Sequence, residues 1–425
     1  MRPAAAVRAR SVADVQATLR WATAHGVPIT PRGGGTGKAG GCVPCEGGVV
    51  LSLAGLDRLR SIRPEHGFAE VDAGLITGTF RDAADEARLY YPPDPGALDA
   101  CTLGGNVATN AGGPAALKYG VTRDQVLGVE AVLADGTRID LGRRQPKGVA
   151  GYDLARLLVG SEGTLAVVTG IRLALRARPA SIVAALMPFA TVQDAAQAVT
   201  LGRRSGLEPR ALEFFDATAL RRAAREPGFP FDPSWGALLL VEFDGEPGVP
   251  EASLARFAEG LGDRGPLEVR VAGDEARRRG LWQLRRRTSH LVKVGAVGWI
   301  TEDVAVPLGS VPDLVERLPG IGEQHGVIAL AYGHAGDGNL HVNLLWEDPS
   351  GAQFAERAAD AVIAAALDLG GTISAEHGIG LAKRRFLPQE VGDRAIGLMR
   401  GIKQAFDPLG ILNPQKVFRL QEPPC

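Results

Sequence analysis

Seven histidines occur in the 425 residues, and two of them close the segment His334-Ala335-Gly336-Asp337-Gly338-Asn339-Leu340-His341. In an uninterrupted strand, residues seven apart point to opposite faces. Gly336 and Gly338 permit a bend, so both imidazoles can turn toward one point. Neutral imidazoles suit a divalent zinc, iron or manganese ion. His341 and Asn343 would share one strand face, which brings Asn343 within reach of the same point. A second segment, Gly371-Thr372-Ile373-Ser374-Ala375-Glu376-His377-Gly378-Ile379-Gly380, adds an anion and another imidazole. Glu376 would complete a site of two histidines and one carboxylate, with open positions for substrate oxygens. The plainer alternative is two loop histidines beside surface carboxylates. It would be the better reading of the first segment alone, and the second segment weighs against it.

A second kind of chemistry is suggested by glycine. The run Arg32, Gly33, Gly34, Gly35, Thr36 and Gly37 can form a nest of backbone N–H groups around phosphate oxygens. It is neither the G-x-G-x-x-G fingerprint nor a P-loop, and alone it could be a tight surface turn. Two further loops change the balance. One carries Gly104, Gly105 and Asn106, followed by Thr109 and Asn110. The other carries Gly160, Ser161, Glu162, Gly163 and Thr164. Three such loops close together call for a long ligand rather than a single phosphate.

Hydrophobic periodicity supplies the elements that would position these residues. It predicts a helix over 11–25, strands over 27–30 and 49–53, a strand over 70–73 and a helix over 76–87. Strands 129–133 and 137–140 flank Ala134-Asp135-Gly136, a hairpin signal, and a helix over 151–158 and a strand over 167–175 follow. Pro179 marks a boundary. Beyond it, strands are expected over 182–187, 237–243, 303–306, 328–332 and 340–344, with helices over 192–203, 273–294, 354–369 and 391–406. This alternation implies an α+β sheet covered on one side. A formal net charge of -1 with scattered arginines gives no sign of a nucleic-acid surface. Cys42, Cys45, Cys101 and Cys425 are expected as free thiols in a reducing compartment. No apolar run reaches the roughly 18 residues of a membrane helix, and no secretory leader is evident, so a cytoplasmic protein without a membrane span is expected.

The segments 31–37, 91–110 and 151–169 resemble the FAD-binding domain of the vanillyl-alcohol-oxidase (PCMH) type. Within it the chain is similar to the FAD-linked D-2-hydroxy-acid dehydrogenases: D-lactate dehydrogenase, the glycolate oxidase FAD subunit and D-2-hydroxyglutarate dehydrogenase. The two histidine segments and 407–416 also match that branch, so the resemblance covers nearly the whole chain, with interruptions between Met187 and Gly280. It implies an α+β protein with a two-part FAD-binding domain over 1–178, then an α+β substrate- and metal-binding domain over 179–425 that ends in a helical segment. The FAD diphosphate would lie on Gly33 to Gly37, next to Arg32, and near Gly104 and Gly105. Pro93, Asn106, Thr109, Asn110, Gly160, Ser161, Glu162, Gly163, Thr164 and Asn413 would line the rest. Members with covalent flavin commonly attach it through histidine; this loop has Thr36 instead, so FAD is expected to be non-covalent.

The resemblance further implies His334, His341 and Glu376 as ligands of one divalent metal (Zn, Mn or Fe), His377 as the base and Asn343 as a substrate contact. Arg285 is the expected partner of the substrate carboxylate, with Arg286 and Arg287 close enough in sequence to compete. The implied reaction takes the hydroxyl proton to His377 and the Cα hydride to flavin N5, giving a 2-oxo acid. D-2-hydroxyglutarate dehydrogenases carry a lysine just before the strand that holds Asp303; here Thr301 stands there. A small monocarboxylate, D-lactate or glycolate, is therefore favoured over D-2-hydroxyglutarate. The rivals are an oxygen-using oxidase, a metal-dependent hydrolase, and a non-catalytic flavin-binding subunit of a redox complex. Electrons would pass to an iron–sulfur subunit, an electron-transfer flavoprotein, a cytochrome or a quinone. Such a partner could hold the protein peripherally at the inner face of the membrane, and a homodimer is left open.

Overall fold

The computed structural model describes residues 1–145, 147–226, 229 and 231–419. It is a mixed helix and sheet protein that divides into two compact units. The first comprises Met1–Gly113, Gly120–Arg178 and Glu376–Cys425; the second comprises Pro114–Tyr119 and Pro179–Ala375.

The first unit holds two sheets. Strands Ala5–Arg8, Val49–Ser52 and Ile29–Arg32 form a parallel sheet in that order. The helix Val12–His25 precedes Ile29–Arg32. Ser11 and Asp14 form a capping box at its start, and Gly26 ends it in the left-handed region at φ 63. A cap of this kind is worth about 1 kcal/mol. Its Val15, Leu19 and Ala22 are buried with Ile29, Leu51, Ile411 and Leu412 in one core. A second core lies against the antiparallel sheet ordered Leu59–Arg63, Phe68–Asp72, Val167–Ala174, Val126–Val132, Arg138–Gly142. The expected hairpin is present there, with Val132 opposite Arg138.

The C-terminal segment also builds this unit. Helix Leu387–Phe406 ends at Asp407, ahead of Pro408, a residue that cannot continue it. The buried Lys403 donates to the carbonyls of Thr164 at 2.7 Å and Leu412 at 2.8 Å, and to the Asp407 carboxylate. Ile29 N–H then donates to Ile411 O, and Asn413 N–H donates to Ile29 O. The chain end is thereby fixed beside the strand that enters the first glycine loop.

The second unit is built on one seven-stranded antiparallel sheet. Its order is Arg270–Ala272, Ser181–Phe189, Ala237–Gly245, Ala211–Asp216, Ile328–Gly333, Asn339–Trp346, Gly298–Ala305. Helices cover both faces, not one as the alternation suggested. Leu238 and Leu240 share a cluster with Ala219 and Leu220 of helix Ala217–Ala223 and with Leu281 and Leu284 of helix Glu275–Leu291. On the opposite face Phe243 meets Phe257 of helix Val249–Glu259 edge to face, 5.9 Å between centroids. The reason is the near-continuous apolar run Ala237–Gly245, which needs covering on both sides. Among the described residues no helix is long and apolar enough to cross a membrane. Cys42, Cys45 and Cys101 are free thiols; Cys425 lies outside the described residues.

Candidate active site

In the first unit the three glycine loops pack on one another. Strand Ile29–Arg32 delivers the chain into Gly33, where a Cβ would fall 2.3 Å from Thr102 Oγ1. A Cβ on Gly34 would fall 2.1 Å from the Ala100 carbonyl. Only glycine lets this loop lie against residues 100–105. Gly160 N–H donates to Val107 O at 2.9 Å, and Glu162 N–H to Ala108 O at 2.8 Å. Gly163 lies against Pro31.

The structure gives these glycines different jobs. Residues expected as a loop form a short helix, Leu103–Thr109, capped by Thr102, whose Oγ1 accepts from Gly105 N–H at 3.2 Å. Gly104 N–H donates to Ala73 O at 2.7 Å. Those two N–H groups are therefore engaged within the protein, and the glycines serve as spacers. By contrast, none of the backbone N–H groups from Gly33 to Gly37 donates a hydrogen bond among the described residues. A run of unpaired N–H donors on glycines is the chemistry a dinucleotide diphosphate requires. Arg32 lies over Gly35, at φ 70, its guanidinium where a Cβ would sit; Thr36 is exposed and Pro93 buried. Side chains expected at the cofactor also brace the loops. Asn106 donates to Thr77 Oγ1, Thr109 to Gly105 O, Ser161 to Leu158 O and Thr164 to Ser161 O. Asn110 Oδ1 accepts from Arg123 N–H.

Glu162 holds the segment that follows His377. It is buried at φ 51, and its carboxylate accepts from Ile379 N–H at 2.7 Å and Gly380 N–H at 2.9 Å. Burial pushes its pKa up, against the pull of those two N–H groups and of Lys416. Asn413 donates to the carbonyls of Gly41 and Glu162, at 2.9 and 2.7 Å. Glu376 and His377 stand at the head of this pinned segment, 3.8 Å apart.

In the second unit the strand register lines up a row of functional side chains. Phe215 pairs with Tyr332, Tyr332 with His341, and His341 with Asp303, across four adjacent strands. A tight turn, Ala335–Asp337, with Gly338 at φ 80, separates His334 from His341. The two imidazoles lie 5.2 Å apart between ring centroids, edge to face. His341 Nδ1 lies 3.4 Å from Asp303 Oδ1, which also accepts from Asn339 Nδ2 at 2.7 Å. His334 Nδ1 lies 2.6 Å from Glu213 Oε1, and Arg285 donates through Nε to Glu213 Oε2 at 2.5 Å. Burial would raise the Glu213 carboxyl, but the attraction of His334 and Arg285 outweighs it and holds the pKa below the ordinary value. Arg285 is the buried member of its arginine run, stacked over Phe215 and Tyr332, whereas Arg286 and Arg287 are exposed. Asn343 shares the face of His341; it accepts from Thr301 Oγ1 at 2.9 Å and donates to His341 O at 3.1 Å. An amide has two donors and two lone pairs, so further contacts are open to it. Sequence reasoning missed Glu213 and gave Asp303 no role.

Comparison with known proteins completes the picture. Residues 3–142 match a family described as FAD binding domain, and residues 178–417 match FAD linked oxidases, C-terminal domain. The chain is 36% identical over 419 residues to the glycolate oxidase subunit GlcD of Bacillus subtilis, covering 98% of this chain and 89% of that one. It is 38% identical over 408 residues to a D-lactate dehydrogenase of Archaeoglobus fulgidus, covering 96% and 89%. Among solved structures it resembles p-cresol methylhydroxylase in fold, with a TM-score of 0.81, 18% identity and coverage of 99% and 90%.

Proposed function

The chain belongs to the FAD-linked oxidases, and from that premise we propose that it oxidises a small D-2-hydroxy acid, D-lactate or glycolate, to the 2-oxo acid. FAD is held without a covalent bond on residues 33–37, and one divalent cation is held by His334, His341 and Glu376. When bound, FAD supplies a two-electron acceptor for the hydride from Cα, and the cation supplies Lewis acidity toward the substrate oxygens. The chain's own residues do the rest. Arg285 faces the substrate carboxylate with the planar fork of its guanidinium. Asn343 contacts the substrate, and His377 takes the hydroxyl proton. A soluble or membrane-bound electron acceptor, such as an iron–sulfur subunit, then reoxidises the flavin; the word subunit in the name of the Bacillus relative favours such a complex.

The observation that carries this reading is the row on one sheet face: two neighbouring imidazoles beside a buried, aromatic-stacked arginine. Imidazoles suit a divalent cation, and a buried arginine beside them suits a carboxylate. The preference for a monocarboxylate rests on Thr301, which is engaged with Asn343 where the dicarboxylate enzymes have lysine. The test is an anaerobic panel of 2-hydroxy acids on the purified flavoprotein, following flavin bleaching. D-lactate or glycolate should reduce the flavin faster than D-2-hydroxyglutarate. Faster bleaching by the dicarboxylate would move the assignment to that substrate, and no bleaching by any of them would make the chain a non-catalytic subunit.

A further inference from the structure

We propose that Leu117 is a positioning residue for the histidine pair: seated by Asp244, it presses on Gly336 and fixes the turn that spaces His334 from His341. The consequence for a bound cation rests on the reading of those two histidines as metal ligands.

The segment Pro114–Tyr119 belongs to the second unit, although the chain on either side of it belongs to the first. The helix Ala116–Tyr119 inside it is too short to stand alone. Strand Ala237–Gly245 holds it in place through Asp244. The Asp244 carboxylate is fully buried, and each oxygen has a partner in the segment. Oδ1 accepts from Lys118 Nζ at 2.6 Å, and Oδ2 accepts from Tyr119 OH at 2.7 Å. Lys118 Nζ also donates to the Asp244 backbone carbonyl, at 3.0 Å. A buried charge resists losing its partners, because each loss leaves it unpaired out of water. The two residues that follow Leu117 are therefore tethered.

Leu117 in turn covers the histidine turn. Gly336 is buried, and a Cβ there would fall 2.4, 3.0 and 3.2 Å from Cδ2, Cδ1 and Cγ of Leu117. All three of the nearest atoms belong to that one side chain. The turn itself is made by three backbone bonds. Asp337 N–H and Asn339 N–H donate to His334 O at 3.2 and 3.1 Å, and Gly338 N–H donates to Ala335 O at 3.1 Å. One side of the turn is gripped by backbone: Val306 N–H donates to Gly338 O at 3.1 Å, and a Cβ on Gly338 would fall 2.1 Å from Val306 O. The side at Gly336 is gripped by Leu117. Interiors packed this closely pass a displacement on to their neighbours. Both histidines adjoin the turn, so its seating sets where their rings stand.

The test uses full-length, FAD-loaded protein stripped of metal. In Leu117→Ala, amide exchange at Asp337, Gly338 and Asn339 should quicken about tenfold, while amides of Ala237–Gly245 keep wild-type protection. Titration with MnCl2 should give a dissociation constant raised on the order of tenfold. When Gly336→Ala is added to L117A, the new methyl fills space that Leu117 vacates, so both values should return toward wild type. Gly336→Ala by itself should not slow exchange, since Leu117 leaves the methyl no room. Wild-type exchange at the turn in L117A would overturn the proposal, and so would equal effects of Gly336→Ala in the two backgrounds. His334→Ala separates the two levels. If H334A loses Mn2+ while L117A binds it as wild type, the Leu117 inference alone falls. If H334A binds Mn2+ as wild type, the metal reading itself has failed, and exchange at the turn still decides whether Leu117 holds it.

Discussion

The backbone around His377 is held through its neighbours. Gly378 and Gly380 adopt φ 81 and 48, a Cβ on Gly380 would fall 2.0 Å from Ala39 O, and Glu162 binds the next two N–H groups. Removing the imidazole therefore leaves the segment in place. His377→Ala should keep FAD and most of its metal, while flavin reduction at saturating substrate slows by about 10²–10⁴-fold, the usual loss for a positioned base. Stopped-flow reduction, with FAD and metal assayed on the same sample, checks this. Near-wild-type reduction in fully loaded protein would assign the proton to another group. The histidine segments were legible because glycines at short spacing announce a bend. Glu213 was not, since its partners His334 and Arg285 lie 121 and 72 positions away. No local spacing reveals a contact made by strand pairing.

Strand Ala211–Asp216 shows what periodicity does and does not report. Its sequence, ALEFFD, is too short and too uniformly buried to alternate, so it went unread, and two buried carboxylates went with it. The helix Leu103–Thr109 was read as a loop because of its glycines, yet Gly104 is there to lie on Ala73. The helix Val311–His325 was passed over because Pro319 and Gly320 interrupt it. The helices at 12–25 and 352–368, with clear stripes, and most of the longer strands were found to within a few residues; of Gly298–Ala305 only the last three residues were read as strand. Asp216, at the end of the unread strand, joins three elements. It caps helix Ala217–Ala223 by accepting from Ala219 N–H, and it accepts from Ala331 N–H in the neighbouring strand, each at 2.6 Å. Burial pushes its pKa to about 6 from 3.8, outweighing those N–H bonds. A carboxyl with a raised folded pKa binds its proton more tightly in the native state. Its favourable contribution is present below the unfolded pKa and is lost as pH rises through the folded one. Asn does not titrate, so the stability deficit of Asp216→Asn should be largest near pH 4 and should narrow toward pH 7. Urea unfolding of both proteins across that range measures it. A deficit that widened with pH would show that the ionised form is the stabilising one.

At the scale of the whole molecule, the first glycine loop and the histidine row lie in different compact units, so losing the flavin is expected to act first on the unit that carries the loop. The first unit is assembled from three separate stretches of chain, and its three glycine loops contact one another through backbone. The N–H groups from Gly33 to Gly37 point to no acceptor among the described residues, so a bound diphosphate would satisfy them. A ligand that binds only the native state stabilises by about 4 kcal/mol at a thousandfold excess over its dissociation constant. For a unit of this size that corresponds to a rise in melting temperature on the order of 10 °C. The sheet of the second unit has its own core. Protein freed of FAD by acid and salt, which should release the flavin intact since Thr36 offers no covalent link, ought to melt with an earlier first transition. Hydrogen exchange should quicken at 33–37, 103–110 and 160–164 and in the sheet of Leu59–Arg63, while amides of Ala237–Gly245 and Asn339–Trp346 keep their protection. Restoring FAD should restore both. Uniform loss of protection across the two sheets would show that the flavin supports the whole chain as one cooperative body, and flavin retained on the denatured polypeptide would overturn the non-covalent assignment.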